Sequence, residues 1–171
     1  MLFGIVVFPE KHVQDLANGW RKRHDPHYTT IPPHLTVREE QEWNEEQLQV
    51  AVAHLDQISS SIKPFTIRFN RVSSFYPVSH VIYLALQDTK TMQKLHNEVS
   101  SGPLALGALK KYVYTPHLTI GQQMSADELH DVYGNLRMQD FDITSNIDRI
   151  HLLYQNDNGS WTAYQSFLLK G

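Results

Sequence analysis

Apolar positions along the chain change period several times, and each change marks an element. Leu2 to Phe8 is continuously apolar, the pattern of a strand covered on both faces. After Pro9 the spacing becomes helical: Val13, Leu16, Ala17 and Trp20 fall at i, i+3, i+4 and i+7. The loop RHDPHYTTIPP, with its three prolines, ends that helix, and a short extended segment follows from His34 to Arg38. Asn44 with Gln47 three residues on predicts a capped helix start, and Leu48, Ala51, Val52, Leu55 and Ile58 form its inner face. From Phe65 to Phe75 the pattern alternates as a strand, with Phe65, Ile67 and Phe69 on one face.

The series then begins again. Val81 to Leu86 reads as a strand. Met92, Leu95, His96 and Val99 read as a helix stopped by Gly102 and Pro103. A loop with Gly107, Lys110 and Lys111 leads to an extended run from Tyr112 to Ile120. Ser125 and Glu128 predict a capping box before the stripe Leu129, Val132, Tyr133, Leu136. Phe141 to Tyr154 reads as one strand, and Trp161 to Leu169 follows the turn NDNG as the last. Matching elements keep a nearly constant offset: Phe3 answers to about Ile82, Asn44 to Ser125 81 residues later, and His34 to His117 83 residues later. Self-similarity at half the chain length implies duplication. The expectation is an α+β fold, bilobal with pseudo-two-fold β-α-β-α-β units. The single domain would have lobes at about 1–78 and 79–171, with strands free to exchange between them.

Bulk properties narrow the function. The 171 residues include 41% hydrophobic and 19% charged, an ordinary globular balance. No apolar run approaches the roughly 20 residues that cross a bilayer, so no membrane partner is expected. The opening stretch lacks a basic n-region and reads as a first strand rather than a signal peptide. There is no cysteine, which excludes disulfides and thiolate chemistry and fits a cytoplasmic protein. A net charge of −3 offers no basic face for long nucleic acid, though a single nucleotide or an RNA end could still be held locally.

The chemistry lies in a repeated word: PHLTV at Pro33 to Val37 and PHLTI at Pro116 to Ile120. Residues i and i+2 of a strand share a face. His34 and Thr36 therefore point together, as do His117 and Thr119, while Leu35, Val37, Leu118 and Ile120 point into the lobes. A cleft between such faces holds two imidazoles and two hydroxyls. One neutral histidine can take a proton from an attacking oxygen, and a protonated one can give a proton to the leaving oxygen. Threonine hydroxyls can donate to non-bridging phosphate oxygens. Neither a metal nor another cofactor is needed. Most of the ten histidines have no partnered motif. His24, Asp25 and His27 lack metal-ligand spacing, with Pro26 between them.

The hydrophobic-flanked His-x-Thr pair resembles the two-histidine (2H) phosphoesterase superfamily, which includes bacterial 2′-5′ RNA ligase and cyclic nucleotide phosphodiesterases. Length and wording are similar to the small YjcG-type phosphoesterases of Bacillus-like bacteria. The resemblance covers essentially the whole chain, and it implies antiparallel sheets flanking a central groove with helices outside. It implies a metal-independent hydrolase acting on a cyclic phosphate or a 2′-5′ phosphodiester of RNA or a nucleotide. His34 would be proton donor, His117 proton acceptor, and Thr36 and Thr119 the phosphate binders. It implies no protein partner. Arg23, Arg38 and Lys110, with Lys111, could steer an anion. Tyr28 and Tyr114, like Phe75, Tyr76 and Tyr112, could stack on a base. Two other readings stay open: a groove that binds RNA or nucleotide phosphate without turnover, and a metallohydrolase using the many histidines.

Overall fold

The computed structural model describes residues 1–107 and 113–171. In chain order the elements are β1 (Leu2–Val7), α1 (Lys11–His24), β2 (Leu35–Glu42), α2 (Glu45–Ser59), β3 (Phe65–Ser74), β4 (Ile82–Leu86) and α3 (Lys90–Val99). A 3-10 turn (Gly102–Leu104) follows, then β5 (His117–Gly121), α4 (Ala126–Leu136), β6 (Ile143–Ile147), β7 (Arg149–Gln155) and β8 (Trp161–Leu168). The eight strands form one sheet in the order β6-β3-β4-β5-β2-β1-β7-β8, with every neighbour pair antiparallel. The α+β class read from periodicity is the fold observed.

The centre of the sheet is the seam between β2 and β5, where the pairing is a single registered couple, Leu35 opposite Leu118. On one face lie Phe3, Ile5, Val7, Leu35, Val37, Leu118 and Ile120, all in one continuous core with the inner faces of the helices. Val13 and Ala17 of α1, Leu48, Ala51 and Leu55 of α2, and Met92 and Leu95 of α3 complete it. β3 lies beside β4 and β7 beside β1, so each half of the sheet takes strands from both halves of the chain.

The single strand expected from Phe141 to Tyr154 is two strands. Asp148 alone separates β6, at one end of the sheet, from β7, six strand positions away. In a flat sheet that separation is roughly 29 Å at about 4.8 Å per strand, which one residue cannot span. The sheet therefore curls until its ends approach. Contacts between the start of α1 and β6 agree: the Glu10 amide donates to Ser145 Oγ at 2.8 Å and Glu10 Oε2 accepts from the Asn146 amide at 2.8 Å.

Both predicted helix starts are capped. Asn44 and Gln47 form the complete reciprocal box at α2, whereas at α4 Ser125 Oγ accepts from the Glu128 amide and the return bond is not made among the described residues. The extended run expected from Tyr112 is shorter: β5 starts at His117, and Tyr112 lies outside the described residues. No helix among the described residues is long and apolar enough to cross a membrane.

Candidate active site

Strand alternation delivers the two motifs to one place. His34, just before β2, and Thr36 within it share a cavity with His117 and Thr119 of β5, and all four side chains are half-buried. The cavity encloses about 400 Å³, within the usual range for small-ligand sites. Val6 stands opposite Thr36 on β1 and lines the same cavity. Neither threonine side chain makes a hydrogen bond among the described residues, so both hydroxyls are available to a ligand.

The two histidines are held alike. Nδ1 of His34 lies 2.9 Å from the carbonyl of Pro32, and Nδ1 of His117 lies 2.7 Å from the carbonyl of Thr115. A carbonyl can only accept, so each Nδ1 carries the hydrogen. That fixes the tautomer and leaves Nε2 of each ring as the atom that can gain or lose a proton. The edges of Phe75 and Tyr83 close on the His117 ring, with centroids 4.8 and 5.3 Å away.

Burial makes both imidazoles resist protonation. Burial holds His34 down to about 4, Arg21 and His117 add to the depression, and Asp25 and the Pro32 carbonyl oppose it. Burial likewise lowers His117, against the pull of the Thr115 carbonyl. Both rings therefore favour the neutral form.

A layer behind the histidines orders this loop. Arg21 is 2% exposed yet reaches the cavity wall. Its Nη2 donates to the Ile31 carbonyl at 2.7 Å, its Nη1 to Asn18 Oδ1 at 2.8 Å, and its Nε faces Asp25 Oδ2 at 3.4 Å. Asp25 Oδ1 accepts from the His27 amide and from Gln122 Nε2, each at 2.9 Å. The network ties the segment before His34 to the residue just beyond β5. Sequence reasoning passed over Arg21. The signal available was the series Val13, Ala17, Arg21 in steps of four, which places it on the buried face, and the i+4 step again to Asp25.

The remaining candidates divide. Arg38 lines the cavity, but strict alternation fails there. β2 places Thr36 opposite Val6 and Arg38 opposite Ile5, so Val37 is an extra residue in a bulge. The bulge turns Arg38 to the core side, where Nε donates to the Leu104 carbonyl at 3.2 Å and the guanidinium sits 5.6 Å from the Trp43 ring. Arg23 is exposed in a separate cleft with Lys22 and His24, away from the four motif residues. Tyr28 is exposed and flanks Arg21 at 5.8 Å without lining the cavity. Tyr114 is buried rather than open to a base: its ring stacks on His96 at 4.0 Å and its hydroxyl donates to the Thr36 carbonyl at 2.7 Å. Beside it, His96 Nδ1 lies 2.7 Å from the Val37 carbonyl. These two side chains satisfy carbonyls of the bulge where β2 departs from β5. Lys110, Lys111 and Tyr112 lie outside the described residues. Among the described residues no three His, Asp or Glu side chains converge as metal ligands. Glu39, Glu40, Gln155 and Trp161 also line the cavity, and sequence periodicity did not mark them.

Comparison with known proteins shows the family and the fold. Residues 8–159 match the family model described as the 2′-5′ RNA ligase superfamily. A Bacillus licheniformis protein named "Putative phosphoesterase" is 46% identical over 99% of both chains. A Geobacillus kaustophilus protein of the same description is 42% identical over 100% of this chain and 98% of its own. Among solved structures, a Thermus thermophilus protein superposes with a TM-score of 0.70 at 17% identity, covering 100% and 99% of the two chains. E. coli LigT complexed with 3′-AMP superposes at 0.68 with 14% identity, covering 99% and 98%. At those identities the likeness is one of fold.

Proposed function

The chain belongs to the 2′-5′ RNA ligase superfamily, and from that premise we propose that it is a phosphoesterase that opens a cyclic phosphate or a 2′-5′ phosphodiester of a nucleotide or RNA end. The observation that carries this reading is the matched pair of imidazoles in one cavity, each pinned at Nδ1 by the carbonyl two residues earlier. A purely structural histidine needs no such duplicate. In hydrolysis, Nε2 of neutral His117 takes the proton from the attacking water, and Nε2–H of His34 gives one to the leaving sugar oxygen. The depressed His34 acquires its proton with the bound anion, whose charge offsets the cost of burial. Thr36 and Thr119 donate to the non-bridging oxygens as negative charge builds there. The names of its relatives and the 3′-AMP bound by LigT support the same substrate class. A chain without cysteine suits action in the cytoplasm.

The test is incubation with nucleoside 2′,3′-cyclic phosphates and a 2′-5′-linked dinucleotide in the presence of EDTA, with products resolved by chromatography. Turnover by the parent and a fall of roughly 10²–10⁴ in His34→Ala and His117→Ala is the expected result. Binding without turnover would make the groove a nucleotide-phosphate binding module instead. Loss of turnover with the chelator would point to a metallohydrolase.

A further inference from the structure

The cavity is lopsided. From the histidine-bearing strands it extends over β1, β7 and β8, lined there by Gly4, Val6, Leu153, Gln155 and Trp161. On the far side of β5, toward β4, β3 and β6, only Val81 lines it among the described residues. Cross-strand partners share a face, and the registers confirm which one: Gly4 is opposite Leu153, and Gln155 is opposite Trp161. The Trp161 indole lies across β1 at Gly4, and its Cζ3 is 3.7 Å from the point where a Cβ on Gly4 would sit. Glycine there lets the ring lie low on the sheet while its half-exposed remainder lines the cavity. The loop before His34 forms the adjoining wall, since the Trp161 amide donates to the Thr30 carbonyl at 2.9 Å. From β2 to β8 this floor is roughly 14 Å wide at three strand spacings.

We infer that Trp161 is a stacking platform for the nucleobase of the substrate, so that a nucleoside phosphate lies with its phosphate between the histidines and its base over β1 and β8. This deepens the phosphodiester reading and rests on it for the position of the phosphate. An aromatic face accepts any base, because every base has a π-face. The subsite thus selects nucleosides over simpler phosphate esters without choosing among bases.

The experiment is calorimetric titration of the full chain with adenosine 2′-monophosphate and with its baseless counterpart, 1-O-methylribofuranose 2-phosphate. The parent binds the nucleotide more tightly by about 5- to 100-fold, the worth of one stacked base. In Trp161→Ala the gap closes, and affinity for the baseless phosphate stays within twofold of the parent. Trp161→Leu keeps apolar bulk for the hairpin while removing the π-face, and it also closes the gap. Trp161→Phe retains most of it. A parent with no gap overturns the inference, as does a gap that survives in either the alanine or the leucine variant. Because binding alone is read, the result is independent of turnover. A gap with no hydrolysis would refute the esterase reading and leave the subsite. Hydrolysis with no gap would do the reverse.

Discussion

Anion binding at this site should consume protons, and the amount follows from the charges on the cavity wall. Arg21 is the guanidinium nearest the loop before His34, and it is committed to Asp25, Asn18 and the Ile31 carbonyl. Arg38, the other guanidinium on the wall, is tied to the Leu104 carbonyl and Gln41, and Glu39 and Glu40 line the wall as well, so the charge that welcomes a phosphate should come largely from the imidazoles. With His34 at about 4, roughly one molecule in a thousand carries that proton at pH 7. Charging it there costs about 4 kcal/mol, which a bound anion has to return. Sulfate is a suitable probe because it stays a dianion throughout the range. A group whose pKa rises on binding makes binding stronger as pH falls, between the bound and the free value. Across about pH 6.5 to 4.5 the sulfate Kd should therefore fall about tenfold per unit for one proton taken up, and more steeply where His117 also charges. Calorimetry in two buffers of different ionisation enthalpy counts the protons directly. His34→Gln should lower that count by about one and flatten the slope accordingly. A sulfate Kd that is flat over this range, with no proton uptake, would refute the reasoning and place the anion on other groups.

Three further perturbations separate chemistry from support. Thr36→Val and Thr119→Val keep strand shape and should leave the melting temperature near that of the parent, while single-turnover rates on a cyclic nucleotide fall by a few kcal/mol at most, the scale of one oxyanion donor. Arg21→Met strands Asp25, which is 7% exposed, and should cost about 3–5 kcal/mol in urea unfolding, with Arg21→Met/Asp25→Asn recovering part of the loss. Tyr114→Phe leaves the Thr36 carbonyl without its donor and should cost about 1–3 kcal/mol by the same measurement, although the ring is buried and does not line the cavity.

The duplicated word and its slot between like elements could be read directly, because strand alternation is a local property and two copies check one another. The eight-strand order could not. Nothing local tells β6 from β7, since Asp148 is only one of several polar residues, with Asp142, Asn146 and Arg149, in a run that keeps its apolar positions at Ile143, Ile147 and Ile150. Arg38 shows a different failure. Counting in twos from Thr36 puts its side chain squarely on the cavity face, and a single bulge residue turns its guanidinium toward Leu104 and Trp43 so that it only edges the cavity, a feature set by pairing with β1 rather than by β2 itself. Tyr114 was legible as an aromatic near a motif, but its partner His96 comes from α3, so its duty is visible only in three dimensions. Trp161 lies past the duplicated pattern, in the closing hairpin, and reaches the site only because β8 folds back along β7 beside β1.

The one-residue corner at Asp148 also governs how the site can breathe. The seam at Leu35 and Leu118 is the thinnest pairing in the sheet and would be the natural fold line of a clamshell. Opening along it would carry β6 and β7 apart. Both are held by their own ladders, five registered couples to β3 and four to β1, and one residue joins them. The sheet thus behaves as a closed hoop rather than two jaws. A ligand would then enter over the rim, past the segment before His34 and the β7–β8 hairpin, and the spacing of the two imidazoles should change little as it does.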